Sequence, residues 1–194
     1  MEVEDIKLPN ADLVYIPGFF FKTVANDYFK ELKSSLKWQQ DEIKLFGKKI
    51  LQPRLTALYG DSEKEYTYSG LTMQPLEWTE ELLKIKKAVE LFSDTKFTTC
   101  LANLYRNGQD SMGWHSDDEK ELGENPEIAS ISFGGERWFH LKHKYDSNLK
   151  KKILLKNGSL LLMKGETQHY YKHQIPKTRK DIDERINLTF RKIY

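Results

Sequence analysis

Several residue types on which particular protein classes depend are scarce in this chain of 194 residues. Its one cysteine, Cys100, cannot form an internal disulfide, so we expect a reducing compartment. Eleven glycines and six prolines are too few for a fibrous repeat. The absence of any run of about 18 apolar residues argues against a transmembrane helix and against a membrane partner.

No excess of one charge sign is present either: 31 Lys and Arg face 29 Asp and Glu, for a net charge of +2. Residues 1–5 are acidic, whereas a signal or transit peptide would be basic. We therefore expect an intracellular protein, cytoplasmic in a prokaryote or nuclear in a eukaryote. Residues 137–156 nonetheless hold seven basic residues and one aspartate. That stretch predicts either a basic face for nucleic acid or an ordinary solvated surface.

Hydrophobic residues make up 39% of the chain and aromatic residues 12%, which is enough to fill a core and excludes a disordered protein. No internal repeat, linker or low-complexity tract divides the sequence. We therefore expect one domain over residues 1–194, working as a monomer.

Two segments carry apolar residues at spacings of three and four, which predicts two amphipathic helices. One begins at Thr23, taken as the N-cap, and ends near Leu36; the other runs from about Thr79 to Phe92. Residues 43–73 between them contain turn signals and are interpreted as hairpins. Residues 1–95 would thus contain the helices and hairpins.

The remainder of the chain has the pattern of short strands separated by Gly, Asn or Pro, which is typical of a sandwich or jelly roll. The predicted strands are 97–106, 128–133, 137–144, 152–155, 159–164, 168–173 and 185–193. The expected fold class is α+β, with a double-stranded β-helix (jelly roll) core over about residues 97–194. The two helices would buttress one face of that core.

The last predicted strand alternates polar and apolar residues without exception from Arg185 to Arg191. A strand places Arg185, Asn187, Thr189 and Arg191 on one face. That face would be either the solvent side of an edge strand or a polar pocket. In a pocket, the two guanidinium groups would suit a dicarboxylate ligand, which they can pair with bidentately.

His115 and Asp117 form an H-x-D unit whose side chains point the same way in an extended chain. Such a pair can bind one metal ion, although the motif is common by chance in a chain with this many acids. A non-heme Fe(II) site needs a second, distant histidine. The candidates are His140, His143, His169 and His173, and strand periodicity does not choose between the last two.

Five blocks in this order resemble the AlkB-type nucleic-acid dealkylation enzymes, a branch of the Fe(II)/2-oxoglutarate dioxygenases. The blocks are residues 103–105, 115–119, 128–134, 173–176 and 185–191. The resemblance covers about residues 40–194 and is closest to the members that act on duplex DNA. It implies Fe(II), 2-oxoglutarate and O₂ as cofactor and cosubstrates. The family pattern places the distal iron ligand directly before a residue-apolar-Pro step, which selects His173.

By this resemblance His115, Asp117 and His173 would be the catalytic iron ligands. Arg191 would pair with the distal carboxylate of 2-oxoglutarate. The other residues implied to line the cosubstrate site are Asn103, Tyr105, Arg185, Asn187 and Thr189.

Base recognition is implied for an earlier part of the chain. The turn at Phe46 resembles the wedge hairpin that duplex-acting members insert into the base stack, whereas a Phe covering the core would explain the same residue. Tyr66 and Tyr68 match the aromatic wall of the base pocket. Asp118 and Glu119 would face the exocyclic amino group of the flipped base. Because of their positive charge, Arg54 and the basic stretches 142–144, 150–152 and 177–180 are candidate phosphate contacts.

The function expected from this resemblance is oxidative removal of N-linked methyl groups, as in 1-methyladenine and 3-methylcytosine, from DNA with a flipped base. Formaldehyde, succinate and CO₂ would be released. Two alternatives remain. One is a dioxygenase of the same fold acting on RNA, a protein or a small molecule, and the other is a non-catalytic jelly-roll module that binds nucleic acid.

Overall fold

The computed structural model describes residues 2–45, 48–61, 66–68 and 71–194, with the backbone alone described for 43–45, 48, 66–68 and 71–73. Its helices are α1 (Lys22–Ser35), α2 (Glu80–Ser93) and the short α3 (Thr167–Tyr170). The strands are β1 (Glu4–Leu8), β2 (Ala11–Ile16), β3 (Glu42–Leu45), β4 (Lys48–Leu51), β5 (Leu55–Gly60), β6 (Tyr66–Tyr68), β7 (Leu71–Met73), β8 (Thr99–Tyr105), β9 (Met112–His115), β10 (Ile128–Gly134), β11 (Arg137–His143), β12 (Lys150–Leu155), β13 (Ser159–Lys164), β14 (Tyr171–Ile175) and β15 (Arg185–Arg191). No helix in these ranges is long and apolar enough to span a membrane.

Two antiparallel sheets form the jelly roll. The large sheet has the order β1-β2-β13-β10-β15-β8-β5, and the small sheet has the order β12-β11-β14-β9. One buried cluster joins the facing sides of the two sheets, with Leu101 and Met163 from the large sheet and Phe139 and Ile153 from the small one. The two sheets therefore pack face to face, as in a sandwich.

Helices α1 and α2 pack on the other side of the large sheet. Leu32 of α1 and Ile85 of α2 are fully buried in a second cluster that includes Leu188 and Phe190 of β15. The layers are thus helices, large sheet and small sheet. Thr79 caps α2 by accepting a hydrogen bond from the Leu82 backbone nitrogen at 3.3 Å. The prediction that Thr23 caps α1 is wrong, because the helix begins at Lys22, after Phe21.

The sheet core begins earlier in the chain than the predicted residue 97. Strands β1 and β2 extend the large sheet through the pairing of β2 with β13, and β5 pairs with β8. Two other boundaries also differ from the prediction. Residues 167–170 form α3 and only Tyr171–Ile175 form a strand, and β9 (Met112–His115) was not predicted. The partners of β2, β5 and β9 in the sheets, namely β13, β8 and β14, are distant in sequence, so local patterns carry little information about these pairings.

Gly134 provides a test of how tightly α1 is seated on the sheet. Its φ is +81°, and a Cβ there would lie 2.5 Å from the Glu184 carbonyl oxygen and 2.7 Å from the Phe29 ring. We expect Gly134→Ala to lower the free energy of unfolding by at least about 2 kcal/mol, because left-handed backbone alone costs about 1–3 kcal/mol. Gly18→Ala is the matched control, since nothing lies within 4 Å of its Cβ position. Equal denaturation midpoints for the two variants would contradict this account.

Candidate metal centre and cosubstrate pocket

Three side chains from different elements of the small sheet and its following loop meet between the two sheets. His115 at the end of β9 lies directly opposite His173 of β14, and Asp117 follows two residues after His115. One potential ligand atom from each residue lies within 4.8 Å of the other two. The His173 Nε2 and Asp117 Oδ2 atoms are 3.8 Å apart. The structure therefore brings together the H-x-D unit and the distal histidine chosen from the family pattern.

The alternative histidines do not join this cluster. His169 lies on α3, where its Nε2 contacts the Glu124 carbonyl oxygen and lies 3.2 Å from Asn125 Oδ1. The Nδ1 atom of His143 accepts hydrogen bonds from two backbone amides of the next turn, and His140 lies opposite Lys152. His173 is instead buried and stacks on Phe139, with ring centroids 5.1 Å apart.

Burial sets the protonation of the cluster. It lowers the pKa of His173 to about 3 and also lowers the pKa of His115. Burial alone would raise the pKa of Asp117, but the charge and the hydrogen bond of Arg191, together with electrostatic interactions with the two histidines where these are protonated at low pH, outweigh it and hold that pKa at about 2. Near neutral pH the site therefore offers two neutral imidazoles and one carboxylate, the protonation states in which these groups bind a metal.

Asp117 is held in place from two sides. Its Oδ1 accepts a hydrogen bond from Arg191 Nη2 at 2.7 Å, and its backbone nitrogen donates to Gln168 Oε1 at 2.9 Å. Gln168 is fully buried and was not predicted from the sequence. Nothing in the sequence indicated its role, because the segment that forms α3 was interpreted as a strand. The second Asp117 oxygen, Oδ2, faces His173.

The polar face of β15 lines a buried pocket and not an exposed edge. Strand β15 runs between β10 and β8, and all seven of its residues are buried. Asn187 donates to Ser130 Oγ at 2.9 Å and accepts from Thr189 Oγ1 at 3.0 Å. Asn103 of β8 donates to Asn187 Oδ1 at 3.3 Å. These polar groups form one connected wall, as the alternation in the sequence predicted for a pocket.

Arg185 differs from Arg191 in what it contacts. Its Nη2 donates to Ser132 Oγ at 2.9 Å, while Nε and Nη1 have no hydrogen-bond partner among the described residues. Arg185 is 1% exposed, and its guanidinium carbon lies 5.2 Å from the centre of the Tyr105 ring. Burial lowers the pKa of Arg185 to about 10, partly opposed by Tyr105. A buried cation with two open donors is costly unless an anion binds there.

One cavity joins all of these groups. Its lining includes the His-Asp-His cluster, the polar wall and both arginines of β15. The donor set of two histidines and one carboxylate is that of non-heme Fe(II) oxygenases, and the open donors of Arg185 suit a carboxylate. The residues present therefore fit both an Fe(II) ion and a dicarboxylate cosubstrate.

Comparison with known proteins also indicates a family that uses Fe(II) and 2-oxoglutarate. The family model described as "2OG-Fe(II) oxygenase superfamily" matches residues 12–191. This chain belongs to that superfamily. Fe(II), 2-oxoglutarate and O₂ are accordingly the cofactor and cosubstrates that this superfamily implies, in agreement with the expectation from the sequence.

Relatives place the oxygenase in the AlkB-type branch. It is 42% identical over 187 residues to the cattle protein "Alpha-ketoglutarate-dependent dioxygenase alkB homolog 3", covering 92% of this chain and 65% of the relative. It is 38% identical over 185 residues to the human "DNA oxidative demethylase ALKBH2", covering 90% of this chain and 70% of the relative. The chain thus spans slightly less than two thirds of the cattle relative.

A solved structure supports the fold. The structure titled "The structure of OsALKBH1" superposes with a TM-score of 0.65 at 17% identity, and the match covers 98% of this chain and 100% of that one. At this identity the match concerns the fold alone. The jelly-roll prediction is confirmed.

Two arginines make contacts that bear on their predicted roles. Arg54 is not a surface phosphate contact, since it is 4% exposed and its Nε donates to Asn103 Oδ1 at 2.8 Å. It braces the polar wall instead. Arg191 was assigned to the distal carboxylate of 2-oxoglutarate, but its Nη2 pairs with Asp117. Arg185 has the open donors that such a carboxylate needs.

The predicted base-recognition residues are described unequally. Phe46 lies outside the described residues, and for Tyr66 and Tyr68 the structure gives only their place in β6. Asp118 is exposed and accepts hydrogen bonds from Lys144 Nζ and Ser116 Oγ, each at 3.0 Å. Its carboxylate therefore already accepts hydrogen bonds from other side chains, unlike the Oε2 atom of Glu119.

Glu119 keeps an acceptor available. Its Oε2 atom is buried without a hydrogen-bond partner among the described residues. Burial and the neighbouring Asp117 raise the pKa of Glu119. Of the two acids predicted to meet the exocyclic amino group, Glu119 is the one with a buried carboxylate oxygen that lacks a partner among the described residues.

Proposed function

We propose that this oxygenase removes N-linked methyl groups from DNA bases, with 1-methyladenine and 3-methylcytosine in duplex DNA as substrates. The observation that carries the proposal is the shared cavity, in which a His-Asp-His cluster and the open donors of Arg185 meet. The names of two relatives, a dioxygenase and a DNA oxidative demethylase, support the substrate class.

In this proposal His115, Asp117 and His173 hold the iron, which when bound activates O₂ for oxidation of the methyl group at the expense of 2-oxoglutarate. Arg191 keeps the Asp117 carboxylate ionised and correctly oriented. Such an outer partner typically affects metal affinity or activity by about 10- to 100-fold.

The cosubstrate is positioned by the polar wall. Arg185 binds the distal carboxylate of 2-oxoglutarate through Nε and Nη1, the two donors that lack partners. Asn187, Thr189 and Asn103 fix the wall beside it through their mutual hydrogen bonds, and Tyr105 covers the guanidinium. The buried setting excludes water from this ion pair, which strengthens it.

The base is proposed to enter from the side of Glu119. Its open Oε2 accepts a hydrogen bond from the exocyclic amino group that 1-methyladenine and 3-methylcytosine share. Oxidation of the N-methyl group gives a hydroxymethyl group, which leaves as formaldehyde and restores the base. Tyr66 and Tyr68 are proposed to stack on the flipped base.

Phe46 is proposed to act as a wedge that replaces the flipped base in a duplex. Phe46→Ala should then reduce activity on methylated duplex far more than on the same strand alone. The expected difference corresponds to a stacking contribution of about 1–3 kcal/mol. A mismatched lesion should partly rescue the variant, because less unpairing energy is needed. Equal losses on both substrates would instead assign Phe46 to the core.

The proposal further places the protein in the compartment that holds the DNA, cytoplasmic in a prokaryote or nuclear in a eukaryote, as a monomer. Formaldehyde release from methylated duplex, single-stranded DNA and RNA oligonucleotides, with 2-oxoglutarate and Fe(II) supplied, tests the substrate class. Release from DNA that depends on both additions supports the proposal. Release from RNA alone, or from none of the three, would refute it.

A further inference from the structure

Lys144 joins three segments around the candidate iron site. It follows β11 directly, and its backbone nitrogen donates to the Tyr170 carbonyl oxygen at 2.7 Å. Its ammonium donates to the Gln168 carbonyl oxygen at 2.9 Å and to Asp118 Oδ2 at 3.0 Å. Gln168 and Tyr170 belong to α3, whereas Asp118 lies on the loop after β9 that carries Asp117. One residue therefore ties the end of β11 to α3 and to the loop that carries a candidate metal ligand.

The Lys144 ammonium is directed toward the protein. Its side chain is 16% exposed, whereas Lys142, two residues earlier, is exposed. Two of the three N–H donors of the Lys144 ammonium bind acceptors of the protein itself. Holding a lysine in one geometry costs rotamer entropy, so its contacts must offset that cost. These contacts distinguish Lys144 from a solvated surface charge.

Helix α3 needs contacts of this kind. It is a single turn of four residues, which is too short to be stable by itself. The last carbonyl groups of a helix have no partner within the helix. Gln168 and Tyr170 present two such carbonyl oxygens, and Lys144 donates to both, once from its side chain and once from its backbone. Lys144 thereby fixes the position of Gln168.

Gln168 in turn fixes Asp117. The Gln168 side chain is fully buried, and its Oε1 accepts a hydrogen bond from the Asp117 backbone nitrogen at 2.9 Å. A buried backbone N–H that loses its acceptor is costly, so this contact holds the Asp117 backbone while Arg191 holds its carboxylate. A continuous series of contacts therefore runs from Lys144 through α3 to one of the three candidate metal ligands.

We propose that Lys144 is a positioning residue of the metal centre, which sets the orientation of Asp117 through Gln168. Asp118 contributes by holding the ammonium in place on the side of the loop. Groups that orient metal ligands typically change metal affinity or activity by about 10- to 100-fold. Because Lys144 acts through another residue, we expect an effect at the lower end of this range. The inference concerns the metal centre and does not depend on which substrate the oxygenase uses.

The test measures equilibrium binding of Co(II) to Lys144→Met, to Gln168→Met and to the double variant. Methionine is an unbranched side chain of similar length that lacks the ammonium or the amide. Lys86→Met is the matched control, because the Lys86 side chain is 17% exposed and pairs with Glu90 on α2, on the other side of the large sheet. Co(II) replaces Fe(II) because it is stable in air and its visible absorption reports the geometry of its ligands.

Lys144→Met should weaken Co(II) binding on the order of 10-fold and change the visible spectrum of bound Co(II), whereas Lys86→Met should bind as the wild type does. Gln168→Met should weaken binding at least as much. Because the two residues act in one series of contacts, their losses should not multiply. The double variant should therefore bind Co(II) within about twofold of Gln168→Met alone.

Wild-type Co(II) affinity in Lys144→Met or in Gln168→Met would overturn the inference. Equal weakening in Lys86→Met would also overturn it, because the effect would then follow from the loss of any partly buried lysine. A double variant weakened by the full product of the two losses would show that Lys144 does not act through Gln168. Circular dichroism checks that each variant is folded. Lys144→Gln removes the charge without adding apolar surface, so it decides the question if Lys144→Met does not fold.

Discussion

Replacement of His173 by alanine is expected to lower succinate formation at least about 100-fold, since even outer partners of metal ligands contribute about 10- to 100-fold. The variant loses one of three ligand atoms that lie within 4.8 Å of each other. His169→Ala is the matched control, because His169 lies on α3 with its ring nitrogen on the Glu124 carbonyl oxygen.

The two substitutions should affect Fe(II) binding in the same way as they affect succinate formation. Equilibrium binding of Fe(II) under anaerobic conditions should weaken in His173→Ala and stay unchanged in His169→Ala, with both variants folded by circular dichroism. The reverse pattern, in which His169→Ala abolishes iron-dependent succinate formation and His173→Ala retains it, would show that the centre is assigned to the wrong histidine.

Arg185→Lys is expected to raise the half-saturating concentration of 2-oxoglutarate by about 10- to 150-fold, the equivalent of about 1.5–3 kcal/mol for a charge-assisted hydrogen bond. Lysine keeps the charge but loses the planar pair of donors that Nε and Nη1 provide. Binding of 2-oxoglutarate can be measured by calorimetry with the enzyme under anaerobic conditions.

The Arg191→Lys variant distinguishes the role of Arg191 from that of Arg185. Because Arg191 pairs with Asp117, this variant should raise the Fe(II) requirement more than the 2-oxoglutarate requirement. A large loss of 2-oxoglutarate affinity in Arg191→Lys, with Arg185→Lys unaffected, would restore the assignment made from the sequence and contradict the exchange of roles.

The sequence predicts those parts of the site that depend on local spacing. The H-x-D unit places His115 and Asp117 together whatever the rest of the fold does, and strict alternation places Arg185, Asn187, Thr189 and Arg191 on one face of β15. Whether that face met solvent depended on its neighbours. Its position between β10 and β8 made it a pocket wall.

Contacts between elements that are distant in the chain could not be predicted from the sequence. Both arginines of β15 share a face, so periodicity does not indicate which of them reaches Asp117. The contribution of Gln168 depends on α3 replacing a predicted strand, and that of Arg54 depends on β8 lying beside β5. Likewise, β2 joins the large sheet through β13, whose residues lie far along the chain.

The central claim is that one cavity couples 2-oxoglutarate turnover to removal of a methyl group from a DNA base. The most direct test is a single turnover: enzyme loaded anaerobically with Fe(II), 2-oxoglutarate and a duplex containing 1-methyladenine is exposed to O₂. We expect succinate, formaldehyde and unmodified adenine in equal amounts, each limited by the enzyme present. Succinate formed without formaldehyde, with the methyl group retained, would contradict the account.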